Sequence, residues 1–355
     1  MAKKAEETKT DSKPLSIDKI TASINKKFGE GTAFKMSDDA RANVRFFPTP
    51  NYDLNSALGG GIAEGRVYEV YGPESSGKTT LALFMAGVMQ EYGLTAIVDV
   101  ENAIDPKHME WFGLTPENII ISQPDCAENA IDVIYELIES GVKFIILDSV
   151  AALSPKAEIE GNTGDSNMGV TARLMGQALR KIVPRCKSKG VNVLFINQIR
   201  MKIGVMYGSP ETTPGGNALK FFASVRLDVR RIEQIKSGDN VVGIRSKIKV
   251  VKNKVAPPFK TCELDIIYGK GIDNDASLVN QALKFKIIKQ AGPWFSYEDE
   301  KFQGKDKLSE FISENPKVKE QIEHLILEEI KNNRSNEQVE IPNDDEILEM
   351  EDTNE

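Results

Sequence analysis

One stretch, "VYEVYGPESSGKTTLAL" (67–83), constrains the fold of this chain more than any other. A short β-branched and aromatic run is followed by Gly72-x-x-x-x-Gly77-Lys78-Thr79 and then by a helix-forming segment. That is the phosphate-loop pattern in its required setting, after a strand and opening a helix. Such a loop, here Gly72, Pro73, Glu74, Ser75, Ser76 and Gly77, wraps backbone N–H groups around phosphates, and its glycines permit close approach. The helix that starts at Lys78, Thr79 and Thr80 adds the positive end of its dipole. Lys78 is placed to reach the β- and γ-phosphates, and the Thr79 hydroxyl to bind Mg²⁺. ATP and Mg²⁺ are therefore the expected cofactors, and the fold must be α/β.

The flanking rhythm agrees. "AIVDV" (96–100), "FIILD" (144–148) and "VLFIN" (193–197) are short apolar runs separated by helix-like segments near 77–91, 127–139 and 171–189. Strands alternating with helices predict a mainly parallel sheet covered on both faces. "SVRLDVRRIEQ", "SKIKVVKNK" and "TCELDII" follow with no helix between them and are expected to extend the sheet in antiparallel pairs. Residues 1–13 read as a disordered leader. Ile17, Ile20, Ile24 and Phe28 predict an amphipathic helix in an oligomerisation segment over 14–40. The core is expected over 41–273. A small α+β domain follows over 274–332, with helical spacing in "SLVNQALKFKII" and "VKEQIEHLILEEI" around "WFSYEDEKF". An acidic disordered tail is expected over 333–355.

The net charge of −8 is concentrated in that tail: its last nineteen residues, Glu337–Glu355, hold nine acids and no Lys or Arg, leaving the rest at +1. The acidic average therefore leaves an acidic partner open for the body. The tail itself is expected either to aid solubility or to compete electrostatically with an acidic partner for basic surfaces. Cys126, Cys186 and Cys262 are scattered with no Cys-x-x-Cys pair, which argues against a zinc site or disulfide framework and fits a reducing cytoplasm. No apolar run reaches the roughly 18–20 residues of a membrane span.

Three strand ends carry candidate chemistry. Asp148 closes "FIILD", where a Mg²⁺-side carboxylate belongs, although a strand-end Asp can equally cap the next turn. Glu101 follows "AIVDV" and could orient or deprotonate an attacking water; a solvated loop Glu is the plainer alternative. Gln198 ends the fourth strand, and its neutral amide could sense a γ-phosphate or simply bond backbone.

Gln198 also stands at the mouth of "FINQIRMKIGVMYGSPETTPGGNALKFF" (195–222), in which Ile199 to Gly216 show no usable periodicity. Structureless loops of that length are uncommon inside compact domains and usually functional or disordered. This one carries Arg200, Lys202, Ile203, Val205, Met206 and four glycines, a set that suits phosphates and can wedge between bases. A lid over ATP is the other reading. The two combine if Gln198 links γ-phosphate occupancy to loop order.

"GPESSGKTTLAL", "DSVAALSPKAEIEG", "INQIRMKIGVMYGSPETTPGGNALKF" and "IKVVKNKVAPPFK" closely resemble the bacterial RecA recombinase family, over roughly residues 15–330. The resemblance implies a RecA-type core and a filament-forming, single-stranded-DNA-stimulated ATPase. It would pair that strand with homologous duplex and exchange strands in recombination and repair. A co-protease role in the SOS response, stimulating self-cleavage of a repressor, is implied as well. By resemblance Glu101 is catalytic, Asp148 lies on the Mg²⁺ side, Gln198 senses the γ-phosphate, and Asp105 and His108 flank the nucleotide. Lys252 and Lys254 would reach the ATP of the adjacent subunit. Phe221 and the helix at 17–28 would meet neighbouring protomers.

The same resemblance gives the long loop Arg200, Met201, Lys202, Ile203, Gly204, Thr212, Gly215, Gly216 and Asn217 as DNA contacts, with Ile203 between base triplets. A second loop near 161–169 and the helix after it would add Met168, Gly169, Arg173 and Arg180. Arg230, Arg231, Lys247 and Lys249 would form a weaker duplex-capturing site; read without the resemblance, such charges on strands are as readily a solvated face. The sequence departs from the family at His108, where a Tyr is usual, at Asn102, where a His is usual, and across "FFPTPNYDLNSALGGG". A RadA-like or hexameric-helicase ATPase would usually bring a Cys-rich zinc module, which is absent from these residues. A small-molecule phosphotransferase would have no use for Lys252 and Lys254.

Overall fold

The computed structural model describes residues 16–29, 32–35, 44–105, 109–162, 169–201 and 210–336, with backbone alone at 306, 327 and 330–336. The chain forms two compact units, 1–45 and 46–355. In the first, α1 (Ile17–Phe28) has no buried residue, and its apolar Ile17 and Phe28 are exposed. The Asn25 side chain ties the helix to the segment after it, donating to the Ala33 carbonyl at 2.8 Å and accepting its N–H at 2.7 Å. Lys35 pairs with Asp18.

The second unit opens with β1 (Phe46–Phe47), α2 (Tyr52–Leu58) and β2 (Ile62–Ala63). The nucleotide-binding layers follow: β3 (Val67–Gly72), α3 (Lys78–Gln90), β4 (Thr95–Asp99), β5 (Ile119–Ser122), α4 (Ala127–Glu139), β6 (Phe144–Asp148), α5 (Lys156–Ile159), α6 (Val170–Lys189) and β7 (Asn192–Gln198). Next come β8 (Arg200–Met201), β9 (Glu211–Thr212), α7 (Ala218–Phe222), β10 (Val225–Ser237), β11 (Asn240–Asn253), β12 (Thr261–Ile267) and β13 (Gly271–Ile272). The C-terminal part holds α8 (Asp275–Lys284), β14 (Lys289–Ala291), β15 (Trp294–Tyr297), β16 (Glu300–Gln303), α9 (Lys305–Glu314) and α10 (Pro316–Asn336).

Nine strands form one sheet in the order β13-β12-β11-β10-β3-β7-β6-β4-β5. From β10 to β5 neighbouring strands run parallel, and β11, β12 and β13 continue antiparallel. The central strands β4 and β6 are buried at every position, because helices cover both faces. On one face α3 packs Leu81, Met85 and Met89 against Tyr68, Val70 and Ile196. On the other, Ile131 and Ile134 of α4 and Met175, Leu179 and Ile182 of α6 cover Val67, Ile145 and Phe195.

Four sequence expectations change. The run "SVRLDVRRIEQ" pairs parallel with β3 over Val225–Asp228 on one edge, while its other edge forms the antiparallel ladder with β11. "IIIS" is a strand that periodicity did not single out, since its four residues are too few to establish a pattern. The helix expected over "SLVNQALKFKII" stops at Lys284, and Lys286 adopts a left-handed φ of 60° that turns the chain out of it. Finally, α10 runs past 332 to Asn336. The leader at 1–13 and the tail from 337 lie outside the described residues.

A separate core closes the C-terminal part, with Leu278, Ile288, Phe295, Leu308, Ile322 and Ile326 buried together. Gln281 and Asn280 of α8 donate to the Asp53 carboxylate at 2.6 and 2.9 Å, fixing that part against α2.

Candidate nucleotide and DNA site

Parallel strands β3, β4, β6 and β7 end at one edge of the sheet, and ligands of open α/β sheets bind outside such carboxyl ends. At that edge the phosphate loop is held in a shape only certain residues allow. Ser75 and Gly77 have left-handed φ values of 54° and 91°. A Cβ on Gly72 would lie 2.0 Å from the Val229 carbonyl oxygen, so the loop and β10 can meet only at glycine. Ser246 of β11 donates to the Ser76 carbonyl at 2.8 Å and braces the loop from beneath. The Ser76 hydroxyl is buried without a hydrogen-bond partner among the described residues. Lys78 donates to the Pro73 carbonyl at 2.6 Å, closing the loop on itself. Burial lowers the Lys78 pKa, and the carboxylates of Asp148, Glu101 and Glu74 oppose that shift.

The acidic candidates meet the loop. Thr79 Oγ1 donates to Asp148 Oδ2 at 2.9 Å. Burial pushes the Asp148 carboxyl up to about 6, and Glu101 and Asp99 add repulsion while Thr79 and Lys78 counter it. A hard cation prefers such an oxygen pair, a hydroxyl beside a poorly solvated carboxylate. Glu101, one residue beyond the end of "AIVDV", accepts hydrogen bonds from Ser149 and, at 3.4 Å, from Gln198 Nε2. The turn that carries Glu101 is pinned by the buried Asp99, which accepts from the backbone of Ala103 and Ile104 and from Gln123. Lys78, Thr79, Asp148, Glu101 and Gln198 thus converge. The loop's glycine cradle, its orphaned Ser76 hydroxyl and the Thr79–Asp148 pair together fit a nucleotide with a divalent cation.

The Asp148 shift gives a direct expectation. Its folded pKa of about 6 exceeds the ordinary carboxylate value, so the protonated form is favoured on folding. The stabilisation is present below about pH 4 and is lost as pH rises through about 6. In chelator-containing buffer, the thermal midpoint of the native chain should fall across this window relative to Asp148→Asn. Parallel curves for the two would remove Asp148 from that role.

The DNA candidates gather on two sides. Arg173 and Arg180 are exposed on α6. Gly169 caps that helix with φ 82°. Arg200 and Met201 are exposed in β8, which pairs with Glu211 and Thr212 of β9 across the mouth of the long loop. The return of that loop is packed tightly: a Cβ on Gly215 would meet Val150 at 2.8 Å, and one on Gly216 would meet Ala172 at 2.7 Å. Gly215 therefore rests on the turn after Asp148, and Gly216 on the helix that carries Arg173. Asn217 is exposed at the start of α7. His108, Met168, Lys202, Ile203 and Gly204 lie outside the described residues, while Asp105 is exposed.

On the β10–β11 ladder Arg230 stands opposite Lys247, and Lys249 opposite Asp228. Lys247, Lys249 and Arg231 are exposed. Arg230 is engaged, with Nη2 2.5 Å from Glu211 and Nε 3.0 Å from Asp228. Lys252 and Lys254 are not brought to this chain's own phosphate loop. Lys252 donates to the carbonyls of Lys220 and Phe221 at 2.7 and 2.9 Å, and Lys254 to Phe221 at 3.3 Å. They form one face with Phe221, whose side chain is 71% exposed. Ser149, Ser246 and Gln123 are not marked in the sequence because each is a common residue whose partner is distant along the chain, and Asp99 because a carboxylate that bonds the backbone just after it forms no motif.

The chain matches the RecA N-terminal domain over residues 15–273 and the RecA C-terminal domain over 276–331. It is 51% identical over 318 residues to a protein RecA of Salinispora arenicola, covering 88% of this chain and 91% of that one. It is 48% identical over 324 residues to the one from Acinetobacter baylyi, covering 90% and 93%. For Bifidobacterium longum the identity is 48% over 314 residues, covering 87% and 79%. With both domain models matched in sequence order and the phosphate site assembled as described, the chain belongs to the RecA family.

Proposed function

We propose that this chain polymerises on single-stranded DNA as a DNA-dependent ATPase and drives homologous pairing and strand exchange in recombination and repair. The observation that carries the reading is the convergence of Lys78, Thr79–Asp148 and Glu101–Gln198 at one sheet edge, with the DNA loop springing from Gln198. Lys78 leaves the Pro73 carbonyl to bind the β- and γ-phosphates. Thr79 and Asp148 would hold Mg²⁺, which when bound neutralises charge developing on phosphate oxygens. Glu101 takes a proton from, or orients, the attacking water. Gln198 hydrogen-bonds the γ-phosphate, and on its departure turns back to Glu101.

Because Gly215 and Gly216 touch the Asp148 turn and α6, a shift at Gln198 moves the long loop and the Arg173 helix together. Arg200, Arg173 and Arg180 bind DNA phosphates, while the exposed β10–β11 lysines capture duplex more weakly through the same charge. The protein then needs no base-reading code, since base pairing checks the sequence. Lys252 and Lys254 complete the site of the adjoining protomer, which makes assembly a condition of turnover. The exposed apolar face of α1 and Phe221 supply contacts between protomers. The filament also serves as a co-protease for a self-cleaving SOS repressor, and the cytoplasm is its compartment; no described helix is long and apolar enough to cross a membrane.

Phe221→Ala tests the assembly arm. It should reduce filament length and DNA-stimulated turnover at least tenfold with little change in nucleotide affinity of the monomer. Full-length filaments by electron microscopy would contradict it.

A further inference from the structure

Glu69 is an anomaly in the fold. It lies mid-strand in β3, between the buried Tyr68 and Val70, and its side chain is fully buried on the sheet face covered by α4 and α6. A buried carboxylate costs several kcal/mol to desolvate, and an apolar residue would satisfy this position. None of the steps above uses it.

Its partners explain its presence. Glu69 Oε2 accepts from Arg226 Nε at 2.5 Å, its neighbour across the β3–β10 pair. Glu69 Oε1 accepts from Asn197 Nδ2 at 3.1 Å, on the other flanking strand. Asn197 is itself buried, and the same Nδ2 donates to the Pro214 carbonyl at 3.1 Å, at the return of the long loop. Asn197 Oδ1 accepts the backbone N–H of Gln198 at 3.0 Å. On the far side Arg226 lies over the Tyr71 ring at 4.8 Å, next to Gly72, and stands opposite Lys252 on β11. One carboxylate therefore joins the phosphate-loop strand, the Gln198 strand, the DNA-loop return and the strand bearing the cross-subunit lysine.

We propose that Glu69 is a positioning residue that couples nucleotide state to DNA grip, acting through Asn197 on Gln198 and Pro214 and through Arg226 on the Lys252 face. A change at Gln198 alters the Asn197 amide, and that amide cannot rotate without breaking its bonds to Glu69 and Pro214. A displaced Asn197 amide must therefore exchange these bonds for others rather than stretch them, as a coupling element requires. The inference rests on the recombinase reading above.

The test measures coupling rather than activity. Affinity for a labelled oligo-dT is compared in a non-hydrolysable ATP analogue and in ADP, for the native chain, Glu69→Gln and Asn197→Ala. Both variants should bind the analogue within about threefold of the native chain, while the ratio of the two DNA affinities falls at least tenfold. A purely structural role would weaken both DNA affinities alike and leave the ratio unchanged, and a ratio within twofold of native in a folded variant overturns the proposal. Glu69→Gln leaves Arg226 without its charge partner; if it unfolds, Asn197→Ala, which keeps the ion pair, decides. Unfolding of both marks the hub as scaffold and also overturns the proposal. If the native chain itself shows no ATP-over-ADP preference, the recombinase reading fails instead.

Discussion

Lys78→Ala should abolish ATP-dependent binding of single-stranded DNA while leaving the fold intact. The side chain is partly exposed at the first turn of α3, where alanine is a good helix former, and among the described residues its hydrogen bond is to the Pro73 carbonyl of its own loop. Little stability depends on it. Its ammonium is, however, the only Lys or Arg in the phosphate loop, and charge-assisted bonds to phosphate contribute about 1.5–3 kcal/mol each. Losing two of them weakens ATP on the order of 10²–10⁴-fold, because every 1.4 kcal/mol is tenfold. Fluorescence anisotropy with a labelled oligonucleotide, with and without ATP, reads the loss. Retained ATP dependence would remove Lys78 from the phosphates.

Glu101→Gln separates chemistry from binding. The amide oxygen can still accept the Ser149 hydroxyl, so the turn pinned by Asp99 should hold its shape. What disappears is a carboxylate able to take a proton. General-base contributions run to about 10²–10⁴-fold, so turnover should fall by that factor while ATP binding and filaments persist. Stable, slowly dissociating filaments are the expected companion result. Turnover within about threefold of native would take the base role from Glu101.

The two substitutions also show which parts of the molecule were legible from sequence. The phosphate loop was, because its chemistry depends on contiguous residues: Gly72, Gly77, Lys78 and Thr79 are specified by spacing alone. The alternating core was legible as well, since buried parallel strands such as "FIILD" must be continuously apolar. Legibility fell where the chemistry spans strands. Nothing local marks Ser246 as the brace under Ser76, or Asn197 as the partner of both Glu69 and Pro214, because these contacts exist only once β3, β7, β10 and β11 lie side by side. Arg230 shows the converse. In sequence its charge reads as a solvated face or, by resemblance, as a duplex contact, yet Glu211 and Asp228 hold it in the fold. The ion pair ties β10 to β9 at the loop's mouth, so DNA reaching Arg230 must compete with two carboxylates. Short elements were lost for lack of length: β5 and α2 are too brief for a periodic signal.

Phe221, Lys252 and Lys254 illustrate a different limit. Within one protomer the lysines cap the carbonyls at the end of α7, a mundane arrangement that fits a helix C-terminus. The catalytic role proposed for them requires a second copy, so assembly matters as much as the site. ATP hydrolysis measured with and without single-stranded DNA, with electron microscopy of the same mixtures, tests both at once. Turnover stimulated at least tenfold, together with helical filaments on the DNA, is the expected result. Turnover indifferent to DNA, or closed rings in place of filaments, would contradict it.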